Sequence, residues 1–261
     1  KNNNIESILS KNGKTYWVEC GDTLYIRRLQ AGQYQASNWL FAQTLLRNTR
    51  TAIDVGSNNA VNAVHYAEVF DWVECFEPTG LAQQLWHNTI RDNGVANVTL
   101  HTEAVGENNM TSEILLHERN GGHNHLAHYD KNPRARPERS SKQTESVAVA
   151  TLDSKNFQTV DFLKIDVEGY ELYVLKGADR TIEHCRPVCQ LEMVEPQCRK
   201  FGYKPDDILD WFRKRSYRCC SKRRGWIEGG WSKGKADMDL FFVPEEFGTV
   251  LEPRLELFQE Q

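Results

Sequence analysis

Three short apolar runs in this sequence end at acids, and those acids are its best candidates for chemistry. Ala52-Ile53-Asp54-Val55 leads into Gly56-Ser57-Asn58-Asn59, and Trp72-Val73-Glu74-Cys75-Phe76 stops at Glu77-Pro78. Phe162-Leu163-Lys164-Ile165 stops at Asp166-Val167-Glu168-Gly169-Tyr170-Glu171. Runs of this length read as buried strands, and in a parallel sheet ligands bind beyond the carboxyl ends of the strands. Gly56 lets the chain turn sharply and come close to a ligand. Free N–H groups at the start of the helix after Asn59 can hold a carboxylate or phosphate. Glu77, 23 residues beyond Asp54, is placed to accept hydrogen bonds from both hydroxyls of a ribose. A dinucleotide fingerprint would need three glycines where this turn has one, and no Gly-Lys-Ser/Thr phosphate loop is present. A ribose ligand without a pyrophosphate fits better, and S-adenosylmethionine is such a ligand.

The elements that must position these residues are those of an α/β sheet. After the Gly56 turn comes a helix with Val61, Val64 and Ala67 on one side. The strand ending at Glu77 is followed by a helix through Leu81, Leu85 and Trp86, closed at Asn93-Gly94. A third strand is expected over Val98 to Val105. Residues 106–150 break the rhythm: Glu113–His117 and Ser146–Ala150 read as an inserted strand pair around a long polar stretch. The alternation then resumes with strands at Val160–Val167 and Val188–Met193, with a helix around Leu172–Leu175 between them and another over Asp206–Lys214 after. Tyr217–Cys220 and Met238–Val243 are expected as a closing antiparallel pair at one edge. Before residue 51, Thr15–Cys20 and Thr23–Arg27 are β-rich runs around Gly21-Asp22, a hairpin signal. Ala36–Arg47 has helical spacing, with Ser37 or Asn38 as cap. The expected division is an extension over 1–50, a catalytic domain over 51–244 and an acidic tail over 245–261.

Composition excludes several classes. With 261 residues, 39% hydrophobic and 26% charged, the chain is an ordinary globular protein with a net charge of −4. That balance argues against a general polyanion binder. The longest apolar runs, such as Leu240–Val243, are far short of the ~20 residues of a membrane span. Seven cysteines are too few and odd for a disulfide scaffold. A cytoplasmic location with no export signal is the expectation.

The ordered set Asp54-Val55-Gly56-Ser57-Asn58, Phe76-Glu77-Pro78, Ala104-Val105-Gly106, Thr151-Leu152-Asp153 and Leu163-Lys164-Ile165-Asp166-Val167-Glu168-Gly169-Tyr170-Glu171 resembles the FkbM family of S-adenosylmethionine-dependent methyltransferases, over about Thr51 to Met193. The resemblance implies a Rossmann-like class I methyltransferase fold, a seven-stranded, mostly parallel sheet whose last strand is antiparallel. It implies methylation of a hydroxyl on a glycan or small metabolite. One departure is Asn59-Ala60, where such proteins commonly carry a further glycine.

By position the resemblance puts Asp54, Gly56, Ser57 and Asn58 at the methionine end of the cofactor and Glu77 with Pro78 at its ribose. Glu103 or Ala104 falls near the adenine, and Asp166 near the amino group or the methyl. Transfer to an alcohol is an in-line displacement that needs alignment and profits from a base. The candidate bases are His123 and His125 in Gly121-Gly122-His123-Asn124-His125-Leu126, together with Asp166 and Glu168. For Glu171 the plain reading is an acid at a helix N-terminus. His123, His125 and an acid such as Asp166 would be a divalent-ion set, but neither they nor Cys185, Cys189 and Cys198 match a zinc signature, so no metal is expected. The basic runs Lys131–Arg139 and Arg213–Arg224 suit an anionic acceptor better than nucleic acid. Methylation of a nucleic acid or nucleotide, and a cofactor-binding module without turnover, are the alternatives.

Overall fold

The computed structural model describes residues 5–21, 23–116, 124–126, 143–231 and 239–247. In chain order its strands and helices are β1 (Ile5–Leu9), β2 (Thr15–Glu19), α1 (Thr23–Gln30), α2 (Ala36–Leu45), β3 (Thr51–Val55), α3 (Val61–Tyr66), β4 (Trp72–Phe76), α4 (Gly80–Asp92) and β5 (Val98–His101). Four strands, β6 (Ala104–Val105), β7 (Met110–Leu116), β8 (His125–Leu126) and β9 (Gln143–Ala150), come next. The chain continues through β10 (Phe162–Ile165), α5 (Glu171–Lys176), α6 (Asp179–Cys185), β11 (Val188–Glu192), α7 (Glu195–Lys200) and α8 (Pro205–Arg213). It closes with β12 (Tyr217–Ser221), β13 (Gly225–Ile227) and β14 (Asp239–Pro244).

The main sheet runs β13-β12-β14-β11-β10-β3-β4-β5. Strands β11, β10, β3, β4 and β5 are mutually parallel. The order reverses between β3 and β10, the switch point where α/β sheets open a ligand crevice. Along β3 the side chains alternate between two cores: Ala52 packs with Phe162, Cys75 and Val188, while Ile53 and Val55 pack with Leu163, Ile165 and Leu191. Both faces of these strands are covered, which is why they read as apolar runs.

Several expectations are corrected. The sheet has eight strands where seven are expected: the chain turns back after Ser221, and β13 adds an edge strand antiparallel to β12. β12 and β14 do form the expected antiparallel pair, but β13 takes the sheet edge beyond β12, and β14 is also antiparallel to β11 on its other side. The single strand expected over Val98–Val105 is two, because the chain leaves the main sheet after His101 and Ala104–Val105 joins a second sheet, β6-β9-β7-β8. In that sheet β7 and β9 form the inserted antiparallel pair.

The N-terminal hairpin is displaced. β2 pairs antiparallel with β1, not with Thr23–Arg27, which is the start of helix α1. Ile26 and Leu29 lie three apart, and Leu29 is buried in the core that Tyr16 and Val18 of β2 also enter, so packing overrides the β-propensity of Thr23-Leu24-Tyr25-Ile26. Helix α2 has neither Ser37 nor Asn38 as its cap; Gln35, in a left-handed conformation at φ 56°, precedes it. Trp39, Phe41, Ala42 and Leu45 face the core, and Leu40 is exposed. Phe41 meets Phe241 of β14 edge-on at 4.9 Å, so this N-terminal part closes one face of the sheet. All seven cysteines are free thiols. No helix among the described residues is long and apolar enough to cross a membrane.

Candidate active site

A cleft of about 420 Å³ lies over the ends of β4, β3, β10 and β11, within the size range of small-ligand pockets. Its β3–β4 side is built by the Gly56 turn. Gly56 N and Ser57 N both donate to Phe76 O at the end of β4, at 3.0 and 3.1 Å. Gly56 has φ +84°, and a Cβ there would sit 2.0 Å from Asp166 O, so only glycine fits where β3 passes β10. Asn58 and Ala60 also have positive φ, 48° and 68°. The position where a further glycine is usual thus keeps a glycine-like backbone with alanine in it, at a cost of about 1 kcal/mol.

Glu77 holds this turn. Its Oε2 accepts from Asn58 N at 3.0 Å, while Oε1 accepts from Thr79 N at 3.0 Å and Thr79 Oγ1 at 2.7 Å. A carboxylate offers about four acceptor sites, so Oε1 is filled and Oε2 retains one. The expected capture of both ribose hydroxyls therefore narrows to one free acceptor position. Burial raises the Glu77 pKa, and the Thr79 and Asn58 donors pull against it. Ser57 Oγ accepts from Trp86 Nε1 at 3.1 Å. Pro78, Glu103 and Ala104 also line the cleft, with Glu103 ion-paired to Lys155 at 2.8 Å.

Asp54 is placed elsewhere than expected. It is fully buried, is not part of the cleft lining, and neither oxygen has a hydrogen-bond donor. It sits on the core face of β3 that carries Ala52, below the cleft, 3.7 Å from the ammonium of Lys164. Lys164, 2% exposed, reaches up from β10 to Asp166 Oδ2 at 2.9 Å. Burial opposes charge on Lys164, but Asp166 and Asp54 overcome it and hold its pKa well above the ordinary value. Burial raises the Asp54 pKa, with Lys164 opposing.

The other side of the cleft is acidic. Oxygens of Asp166, Glu168 and Glu192 lie within 4.8 Å of one another, the one convergence of its kind among the described residues. Glu168, at φ 58°, accepts from the Gln197 side-chain amide. Glu171 does more than face a helix dipole: its Oε1 accepts from Val167 N and Gly169 N, and Oε2 accepts from Tyr203 Oη at 3.0 Å, which fixes the loop carrying Glu168. Burial and then the nearby Asp166 and Glu171 raise the Glu168 pKa; burial, Asp166 and Glu168 raise that of Glu192. His125 of β8 is buried and lines the cleft. His123 lies outside the described residues, as does the run Lys131–Arg139.

Sequence reasoning missed Glu192, although it ends an apolar strand just as Glu77 and Asp166 follow theirs. It also gave Lys164 no role. Tyr25, Arg28 and Tyr34 of the N-terminal part complete the cleft wall, and no local signal announces them. Tyr25 Oη donates to Asn59 Oδ1 at 2.7 Å, and Asn59 Nδ2 donates to Trp17 O at 2.9 Å, so this wall is tied to the β3 turn. Tyr25 and Tyr34 meet edge-on at 4.7 Å. Burial, with Asp166 adding to it, pushes the Tyr34 hydroxyl up to about 12.

Residues 54–219 match the model of the methyltransferase FkbM domain, and the chain belongs to that family. No curated protein matches it in sequence. Among solved structures, the methyltransferase FkbM from Methylobacillus flagellatus is 17% identical with a TM-score of 0.48, over 85% of this chain and 56% of that one. The chain thus spans just over half the length of that protein. An rRNA methylase from Streptococcus thermophilus is 10% identical with a TM-score of 0.46, over 78% and 91% of the two chains.

Proposed function

We propose that this chain binds S-adenosylmethionine in the cleft and methylates a hydroxyl of a glycan or small hydroxylated metabolite. The observation that carries the reading is the division of one cleft between two chemistries. A glycine turn and a buried, backbone-anchored Glu77 lie over β3 and β4, and three carboxylates lie over β10 and β11. The first side fits a nucleoside: Glu77 Oε2 keeps one acceptor position for a ribose hydroxyl, and Phe76 and Ala104 give it apolar wall. When bound, the cofactor supplies a methyl on an electrophilic sulfonium. The protein's part is to align an acceptor oxygen and to take its proton.

The second side favours an uncharged or cationic polyol. Carboxylates accept hydrogen bonds from hydroxyls and repel anions, and Tyr34 lines the cleft with them. This moves the reading away from an anionic acceptor. Four of the cations in Arg213–Arg224 make contacts within the fold. Arg213 pairs with Asp210, Arg215 with Asp179, and Lys222 donates to Ser37 and Asn38. Arg218 lies over the Trp226 ring. The test is release of S-adenosylhomocysteine from S-adenosylmethionine with a panel of neutral sugars, amino sugars and sugar phosphates. Turnover with the neutral or amino sugars is expected, and turnover confined to the phosphates or to RNA would overturn the acceptor assignment.

A further inference from the structure

The three acids at the β10–β11 side are not equivalent. Asp166 is paired with Lys164 at 2.9 Å, and Glu168 takes a hydrogen bond from Gln197. Glu192 lines the cleft and accepts no hydrogen bond from any described residue. It closes β11, one strand further from the β3 turn than Asp166, on the side away from Glu77.

We propose that Glu192 is the proton acceptor of the cleft: it shares a proton with Glu168 in the free protein, gives that proton up when a sulfonium cation binds, and so stands as a carboxylate when an acceptor hydroxyl must lose its own. The inference rests on the reading of the cleft as a methyl-donor site. Close carboxylates cannot all ionise in a partly buried cleft, and one proton held between two of them relieves the repulsion. The charged and titratable groups around Glu192 and Glu168 are Lys164 from β10, Asp166 from the loop after it, Glu171 from α5, Lys200 from α7, Asp239 from β14 and Tyr34 from the N-terminal part. Of its two cations, Lys164 is committed to Asp166 and Asp54, and Lys200 acts on Glu168, which leaves four carboxylates and Asp239 against them. The raised pKa values of Glu168 and Glu192, caused first by burial and then by their acidic neighbours, agree with a retained proton. A positive charge brought into the cleft favours the ionised pair and expels the proton. In the transfer itself, the acceptor oxygen gains the methyl carbon, the carbon–sulfur electron pair stays on sulfur, and the hydroxyl proton passes to a Glu192 carboxylate oxygen.

The experiment is calorimetric titration of the full chain near neutral pH in buffers of different ionisation enthalpy, with S-adenosylmethionine and with S-adenosylhomocysteine. The two share ribose, carboxylate and ammonium, and only the first carries the sulfonium charge. The expected result is release of on the order of one proton with the cation and none with the thioether. Affinity for the cation then rises as pH rises through the shared titration, while affinity for the thioether stays flat. E192Q should lose the buffer-dependent heat of binding the cation, and a cooperative melt of the variant shows that this loss is not a loss of fold. The wild-type comparison stands without any variant. Equal proton release for the two ligands, unchanged release in E192Q, or release that appears only with added magnesium would overturn the inference while leaving the donor site intact. Binding of neither ligand would sink the methyl-donor reading itself, and this inference with it.

Discussion

Replacing Lys164 by methionine removes a buried cation from beneath the cleft while keeping most of the side chain's volume. Lys164 Nζ lies 3.7 Å from Asp54 Oδ1 and 2.9 Å from Asp166 Oδ2. At an effective dielectric constant near 20, those separations correspond to roughly 4 and 6 kcal/mol of attraction, offset by the cost of burying the ammonium. Without Lys164, Asp54 remains fully buried with no donor on either oxygen. Breaking a buried pair from one side costs about 3–5 kcal/mol, a large part of a typical stability of about 5–15 kcal/mol. Asp54 can escape by taking up a proton. A carboxyl whose folded pKa lies above its unfolded one binds more protons when folded, so stability falls as pH rises from the unfolded value through the folded one. Burial already raises Asp54, and loss of Lys164 raises it further. The deficit of K164M against the wild type should therefore be greatest at pH 7 and smaller at pH 5. Urea unfolding followed by tryptophan fluorescence at both values measures it, and adding D54N to K164M should recover much of the loss at pH 7. A variant within about 1 kcal/mol of the wild type at pH 7, or a deficit independent of pH, refutes the reasoning; the first figure lies below the whole range for a severed buried pair.

Three other outcomes are expected. Gly56→Ala places a Cβ against Asp166 O at a positive φ, so it should cost about 3 kcal/mol or more and lower Tm by roughly 6 °C or more; an unchanged melt contradicts the crossing described for β3 and β10. Glu77→Ala should weaken S-adenosylhomocysteine binding about 10- to 100-fold, through loss of a charged acceptor and of the turn it holds; unchanged affinity by calorimetry removes Glu77 from the site. Filter binding to RNA should be weak and nearly flat against salt, because the chain carries a net charge of −4 and the cleft itself is acidic; a steep slope would restore nucleic acid as the acceptor.

The middle of the sheet is legible in the sequence because its strands are covered on both faces and stop at polar turns. Thr51–Val55 and Trp72–Phe76 announce themselves this way, and Gly56 and Glu77 follow from them. Elements fixed by distant packing are not legible. Thr23–Gln30 carries β-prone residues and becomes a helix because Leu29 enters a core made by β2 and the main sheet. The strand that β2 pairs with, Ile5–Leu9, precedes it across the Gly13 turn. Asp54 carries the motif and yet turns away from the cleft, because strand alternation sets it on the core face with Ala52. Glu192 was legible in principle, since Val188-Cys189-Gln190-Leu191-Glu192 is another apolar run closed by an acid. Tyr34 and Arg28 reach the cleft only through tertiary structure, so spacing gave no hint of them.

The most direct test of the methyl-donor cleft is a crystal structure of the full chain with S-adenosylhomocysteine bound. The account predicts ligand density in the cleft, with a ribose hydroxyl hydrogen-bonded to Glu77 Oε2 and the sulfur directed toward Asp166 and Glu192. Density at any other place on the molecule, or an empty cleft at saturating ligand, would contradict it.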